Sequence, residues 1–217
     1  MSASSVPVIR RGEPHTLSTR GITLLRAGHR EVRRLKREHI PSIHGNKVWN
    51  SSFLIMDELN RSRAGLGLGA DTHLMDIGCG WGPLSIYVAK RFGARVTAVD
   101  ADQDVFPYLQ LHAAINRVEV TPLRCRFEKL TRQRLDGVDV ITGADICFWD
   151  ELTPVLYNLI RRALGQGVRR IIIADPGRSP FYALAERCQA HLNARLVERR
   201  TQTPKALSAE LLIIDRD

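Results

Sequence analysis

Apolar positions along this chain follow two alternating patterns. Short, β-branched runs at residues 73–77, 95–100, 120–125, 138–144 and 168–175 have the length and composition of buried strands. Between and after them, at 83–92, 104–116, 151–164 and 180–192, apolar residues recur at helical spacing. Strand–helix alternation of this kind predicts right-handed crossovers and a parallel sheet covered by helices on both faces. Ser179 is placed to cap the last of these helices ahead of Pro180, and Asp150 to cap the one that starts at Glu151. Two further runs, 194–202 and 207–215, are joined only by Thr203, Pro204, Lys205 and Ala206. That link is too short for a crossover helix, so the runs should close the sheet as an antiparallel hairpin at its edge. The expected fold is α/β: a Rossmann-like, doubly wound, seven-stranded sheet with five parallel strands and a C-terminal antiparallel hairpin. Ahead of the sheet, residues 50–63 place Phe53, Leu54, Met56 and Leu59 largely on one helical face. Residues 1–20 read either as a tail without structure or as a weak hairpin.

Composition bounds the class. The 217 residues suit one α/β domain at 46–217, preceded by a basic extension at 1–45 that contains a short helix. No apolar run approaches the ~18–20 residues that a membrane-spanning helix needs. From Met1 to Gly12 the chain is polar and then basic, without the apolar stretch of a signal peptide. Together these predict a soluble cytoplasmic protein. Cys79, Cys125, Cys147 and Cys188 share no C-x-x-C spacing, and no His pair completes a zinc site. Reduced thiols and no metal centre are therefore expected. Charge is lopsided: residues 1–40 hold nine Arg or Lys and three acids, so +6 of the net +9 lies there. The stretch from His29 to Glu38 reads as a short basic helix. Such a helix can be a solvated face, meet an acidic protein or track nucleic acid. The absence of interleaved aromatics for base stacking favours the first two.

Candidate chemistry gathers behind the first strand of the sheet. The run Asp76-Ile77-Gly78-Cys79-Gly80-Trp81-Gly82 leaves a strand and opens a helix. Glycines there permit positive φ angles and let a ligand approach the backbone. A dinucleotide fingerprint needs G-x-G-x-x-G, whereas counting from Gly78 gives Gly80 and then Pro83. An acid two residues ahead of the first glycine suits a ligand that carries an ammonium group and no pyrophosphate. S-adenosylmethionine is such a ligand. Asp100 ends the second strand, where a carboxylate can accept hydrogen bonds from both ribose hydroxyls.

These residues resemble the class I S-adenosylmethionine-dependent methyltransferases, from about Lys47 to the C-terminus, and the terminal hairpin belongs to that fold. The resemblance implies a cofactor lying across the carboxyl ends of the first, second and fourth strands. It implies that Asp76 faces the methionine amino group directly or through water, and that Gly78 and Gly80 line the methionine moiety. Asp100 would hold the ribose and Phe127 would lie near the adenine, with Cys79, Ala101 and Ala144 on the same lining. Around the adenine, Cys125-Arg126-Phe127-Glu128 departs from the common acidic pattern, and core packing is the alternative for Phe127.

Three segments bear on the subfamily. Val48-Trp49-Asn50-Ser51-Ser52-Phe53-Leu54 resembles the V-W-x-[SA]-[AS] entrance helix of the seven-strand protein lysine methyltransferases, in which the Trp packs beside the cofactor. A plain core anchor is the alternative for Trp49. Gly143-Ala144-Asp145-Ile146-Cys147-Phe148 resembles the D-x-x-[YF] motif of the same group. Ala174-Asp175-Pro176-Gly177-Arg178 resembles the enzymes that modify the electron-transfer-flavoprotein β subunit. Phe148 stands where Tyr is commonest, so no role that needs a phenolic hydroxyl applies.

The resemblance thus implies methyl transfer to a lysine side chain of a protein substrate, with Asp145 and Phe148 at the acceptor. Direct displacement needs the nucleophile in line, about 3 Å from the methyl carbon. A lysine amine has an unperturbed pKa of about 10.4. Burial beside a sulfonium would lower it and a carboxylate would raise it. Asp145 is therefore expected to orient the amine by accepting its hydrogen bonds, with the proton lost to water, and Phe148 to wall the acceptor stem. Helix capping is the alternative for Asp145.

Transfer to RNA or to a small amine is the competing enzymatic reading. Residues 144–148 lack the proline pair of base-amino methyltransferases, and Cys147 lacks the neighbouring proline of the carbon-5 cytosine enzymes. A catalytically silent module that binds a partner through the basic helix is the third. The intact glycine run and both acids speak against it.

Overall fold

The computed structural model describes residues 7, 9–10, 12–42 and 44–216. A hairpin of β1 (Thr16–Thr19) and β2 (Ile22–Leu25) precedes helices α1 (Arg30–Leu35), α2 (Ser51–Arg61) and α3 (Arg63–Leu66). Strand–helix units follow: β3 (His73–Ile77), α4 (Pro83–Phe92), β4 (Arg95–Asp100), α5 (Phe106–Asn116) and β5 (Thr121–Arg124). Then come α6 (Arg132–Leu135), β6 (Val140–Ala144), α7 (Leu152–Gly165), β7 (Arg170–Asp175), α8 (Ser179–His191), β8 (Arg195–Thr201) and β9 (Leu207–Asp215).

The large sheet has the order β5-β4-β3-β6-β7-β9-β8. Its first five strands pair in parallel, and β9 runs antiparallel between β7 and β8. This is the seven-stranded α/β architecture that the hydrophobic pattern predicts, terminal hairpin included. Strand order reverses between β3 and β6, so crossovers leave to opposite sides and a crevice opens at the carboxyl ends.

Side-chain alternation along β7 shows how both faces are filled. Ile172 and Ala174 join the core under α2, α4 and α5, whereas Ile171 and Ile173 join the core under α7 and α8. On α2, Phe53, Leu54, Met56 and Leu59 are all buried, as their spacing requires. The two expected caps are corrected. Helix α7 begins after Glu151 without a side-chain cap bond. Ser179 is itself the first residue of α8, and Arg178 precedes it without a side-chain cap bond. Asp175 Oδ1 accepts from the backbone N–H of Gly177 (3.0 Å) and Arg178 (2.8 Å) in the turn ahead of the helix. The N–H groups that a Ser179 cap would take, those of Phe181 and Tyr182, reach the carbonyl of Arg178 instead, because the helix begins one residue earlier.

The N-terminal extension packs onto the domain. Ile22 and Leu24 enter the core of the α2–α4–α5 face, and Leu25 and Val32 pack with Trp81 and Tyr108. Of the stretch read either as a tail or as a weak hairpin, residues 1–6, 8 and 11 lie outside the described residues, and 16–19 form β1. Arg20 and Gly21 turn the hairpin, both at positive φ. The Arg20 guanidinium then grips both oxygens of Asp57 on α2, at 2.7 Å each, and the carbonyl of Thr203. Helix α1 is shorter than the basic run suggests. Its exposed Arg30 and Arg34 lie within 3.6 and 3.4 Å of Glu31, which cancels part of the positive patch. Among the described residues, no helix is long and apolar enough to cross a membrane, and all four cysteines are free and buried.

Strand β2 would leave its outer backbone groups unpaired were it not for α5. The N–H of Leu25 donates to His112 Nε2 (2.9 Å), while Asn116 accepts from Thr23 N (2.8 Å) and donates to its carbonyl (2.7 Å). His112 must be neutral to accept, and its complete burial depresses its pKa from 6.5 to about 4. A depressed histidine gives full stability above its unfolded pKa and loses it as the pH falls from 6.5 towards 4. Between pH 7.5 and pH 5 this residue should cost the fold about 2 kcal/mol. Urea unfolding at the two pH values should show the wild type losing about 2 kcal/mol more than His112→Gln, since titrations elsewhere, Asp76 included, are common to both. Equal losses in both proteins would rule out the assignment.

Candidate functional site

The site begins where β3 ends. Gly78 and Gly80 both adopt positive φ, +68° and +53°. A side chain at Gly78 would strike Ile146, whose Cγ2 would lie 2.5 Å from the added carbon. At Gly80 nothing lies within 4 Å of that position, so the turn is packed on one side and open on the other. Asp100, ending the adjacent β4, is held against this turn. Its Oδ2 accepts from Gly80 N and its Oδ1 from Asp102 N, both at 3.0 Å. Desolvation raises its pKa, with these two backbone bonds opposing. Each oxygen retains a lone pair for a further donor.

Asp76 lies deeper, 2% exposed. The hydroxyls of Ser85 on α4 and Thr142 on β6 donate to its two oxygens, at 2.6 and 3.2 Å. Desolvation dominates and pushes its pKa up to about 6. Both bonds come from neutral groups, so its ionised form is one that an incoming ammonium would stabilise.

A cleft of about 320 Å³ opens over the carboxyl ends of the strands. Gly78, Gly80, Asp100, Ala101 and Phe127 line it, and so do Trp49, Ala144, Asp145 and Phe148. Asp76 and Cys79 do not reach this cleft. They line a smaller cavity beside it, together with Trp49, Gly78, Gly80 and Ala144. The eleven residues singled out in the sequence therefore border two adjoining spaces. The donor set fits an adenosyl amino acid: a carboxylate for vicinal hydroxyls, an aromatic ring, an open glycine and a buried acid.

Beyond β6 the chain makes a strained turn. Asp145 adopts φ +56°, its N–H donating to Ala174 O at 2.9 Å. Its carboxylate is 4% exposed; Oδ2 accepts from Ser51 N (3.1 Å) in the first turn of α2, and Oδ1 from Arg178 (3.3 Å). Asp145 does cap a helix, but one that begins 94 positions upstream and not the helix that follows it. Phe148 stacks on His44 at 4.2 Å and meets Trp49 edge-on at 5.4 Å. Trp49 in turn donates its ring N–H to the carbonyl of His44. Cys147, in the same turn, is buried, and burial holds its thiol well above the ordinary range. A thiolate nucleophile is disfavoured there.

Among the cleft and cleft-edge residues left without a role by the sequence are His44, Trp149 and Arg178. His44 sits in a polar loop with no periodicity to mark it, and Trp149 follows Phe148 without a motif role. Arg178 was legible only as part of the Asp-Pro-Gly-Arg segment; its guanidinium carbon lies 4.3 Å from the Phe148 ring centre.

Residues 74–167 match a family model described as a methyltransferase domain. An electron transfer flavoprotein beta subunit lysine methyltransferase of Danio rerio is 25% identical over 114 residues, covering 52% of this chain and 43% of that protein. A ubiquinone biosynthesis O-methyltransferase of Aeromonas salmonicida is 30% identical over 135 residues, covering 61% of this chain and 55% of that protein. The chain thus spans about half the length of these relatives. Among solved structures, a SAM-dependent methyltransferase from Agrobacterium tumefaciens shares the fold, with a TM-score of 0.68 at 15% identity over 97% of this chain and 72% of that one.

The buried acid yields a pH test. If an ammonium of the ligand interacts with Asp76, binding favours its ionised form, which is lost as the pH falls through about 6. Affinity for S-adenosylhomocysteine, read by calorimetry, should be level above pH 7 and fall by up to about tenfold per pH unit below 6. Asp76→Asn should bind more weakly and without that pH dependence. A flat wild-type profile down to pH 5 removes the assigned role of Asp76.

Proposed function

We propose that this chain, a class I S-adenosylmethionine-dependent methyltransferase by domain match and fold, methylates the amine of a lysine side chain in a protein substrate. The observation that supports the reading is a single cleft lined both by Gly78, Gly80, Asp100 and Phe127, which we assign to the cofactor, and by Asp145 and Phe148, which we assign to the acceptor, with Trp49 beside both groups. The lysine assignment is further supported by the flavoprotein lysine methyltransferases among the relatives, at low identity.

S-adenosylmethionine is the methyl donor, and its sulfonium supplies a methyl group already activated for displacement. The chain has then to exclude water and aim the nucleophile. Phe148, Trp49 and His44 form an apolar wall along which a lysine stem can lie. Asp145 accepts hydrogen bonds from the amine and sets its direction, since α2 and Arg178 hold the carboxylate in place. No phenolic hydroxyl is needed. A small-molecule hydroxyl acceptor is the second reading, supported by the ubiquinone-biosynthesis relative. RNA is less favoured, because the exposed arginines of α1 are partly paired with Glu31.

Tritium transfer from labelled cofactor into fractionated lysate separates these acceptors. Label in a protease-sensitive, base-stable fraction is the expected result; label confined to RNA or to small solutes overturns the lysine assignment. On the substrate so found, Asp145→Ala should lower turnover by roughly 10²-fold or more, as misplacement of a reacting group does. It should also lose ~1 kcal/mol of stability as a cap of α2. Asp145→Asn should retain part of the activity, Phe148→Tyr nearly all of it, and each should bind S-adenosylhomocysteine within a few-fold of wild type. Normal turnover in Asp145→Ala would leave that residue as a cap alone.

A further inference from the structure

We propose that a groove between α6 and α7 docks an acidic segment of the protein substrate, so that the methylated lysine is one with acidic residues a few positions away. The inference rests on the lysine reading of the cleft, and it deepens that reading from an acceptor group to the sequence around it.

Unpaired positive charge gathers here and not on α1. Residues 124–136 and 152–165 carry seven Arg or Lys against two acids, Glu128 and Asp136, a net +5. Among the described residues none of the seven forms an ion pair, whereas Arg30 and Arg34 of α1 both lie against Glu31. Three of the seven, Arg132 of α6 with Arg161 and Arg162 of α7, line one open groove of about 470 Å³ together with Glu128, Thr131 and Asn158. Arg162 has a structural duty, since its Nη1 donates to the carbonyl of Leu130. Arg132 and Arg161 are exposed and free of such a duty; the Arg161 guanidinium carbon lies 6.0 Å from the Tyr157 ring centre. Like charges gathered around one groove repel, and an anion seated among them relieves that repulsion. An arginine can meet a carboxylate with two parallel N–H bonds.

The groove joins the cleft. Glu128 lines both, and α7 runs from one to the other: Leu152 and Val155 line the cleft, Asn158 and Arg161 the groove. From Leu152 to Arg161 the helix rises roughly 14 Å, a distance that about four residues of extended chain would span. The two spaces differ in sign. Asp100, Glu128, Asp145 and Glu151 line the cleft against Arg126, while the groove sets three arginines against Glu128. A lysine with acidic neighbours matches both, its ammonium towards the carboxylates and its neighbours towards the arginines. A nucleic acid matches the groove alone. Its phosphates would meet the carboxylates of the cleft, and no aromatic ring lines the groove for base stacking.

Fluorescence anisotropy tests the surface with three labelled probes: a peptide of one lysine flanked by glutamates, its glutamine counterpart, and oligoadenylate. In dilute buffer wild type should bind the glutamate peptide most tightly, and added salt should weaken that binding. Arg132→Glu/Arg161→Glu should weaken it by roughly tenfold. Arg132→Gln/Arg161→Gln, the milder change should charge reversal disturb folding, should weaken it less and in the same direction. Arg30→Glu/Arg34→Glu on α1 should leave it within about twofold of wild type. Both groove variants should keep the wild-type affinity for S-adenosylhomocysteine while passing less tritium from labelled cofactor into lysate protein. Equal peptide binding by wild type and the groove variants, no preference for glutamate over glutamine, tighter binding of oligoadenylate, or undiminished protein label in the variants overturns the inference and leaves the lysine reading standing. Label confined to RNA or to small solutes overturns both.

Discussion

The site depends on how little room surrounds the turn between β3 and α4. A side-chain carbon at Gly82 would fall 2.0 Å from Leu109 on α5, and one at Gly78 2.5 Å from Ile146 beyond β6. Both glycines also hold positive φ, where other residues are strained. Helix α5 and the turn after β6 therefore press against bare backbone, and only the side at Gly80 stays open. That close approach sets α4 against the sheet, brings the Ser85 hydroxyl onto Asp76, and leaves the N–H of Gly80 to hold Asp100. The glycine-lined end of the cleft is thus a consequence of packing.

At the other end, the carboxylate proposed to meet the acceptor also has a structural duty. One oxygen of Asp145 takes the first-turn N–H of α2, and the other faces Arg178. Capping and acceptor binding are thus compatible roles for this residue, and the cap is what keeps its carboxylate in place. The same bond fixes the start of the helix that follows Trp49, so the ring and the carboxylate are tied to one helix start. Asp175 extends this arrangement into β7 and α8, with its desolvated carboxyl held by the turn it organises.

The N-terminal extension contributes more than charge. Residues around His39, His44 and Gly45 are tied over the carboxyl end by ring donors: Tyr108 to the carbonyl of His39 (2.6 Å), Trp81 to Gly45 (2.7 Å) and Trp49 to His44 (2.8 Å). The β1–β2 hairpin is secured by His112, Asn116 and Arg20, which satisfy backbone and carboxylate groups that burial would otherwise penalise. His44 reaches the cleft through this framework, although nothing near it in sequence marks it as a lining residue.

The sequence by itself determined whatever depends on neighbours along the chain. The limits of β3, β4, β9 and α4 follow from their apolar periodicity, and the glycine turn and the two acids follow from local backbone and solvation needs. Only the tertiary structure decided contacts between distant segments. The cap that Asp145 provides spans 94 positions to Ser51, the arginine that meets Phe148 comes from the next strand–helix unit, and His44 arrives from the extension. The helix starts at Asp150 and Ser179 were misjudged for a different reason: a residue type suited to capping does not fix where the first turn begins, and α7 starts after Glu151 while α8 already contains Ser179. Periodicity is written in the spacing of neighbours. Which charged group faces which ring depends on crossover direction and side-chain placement, and neither is encoded within a single turn or strand.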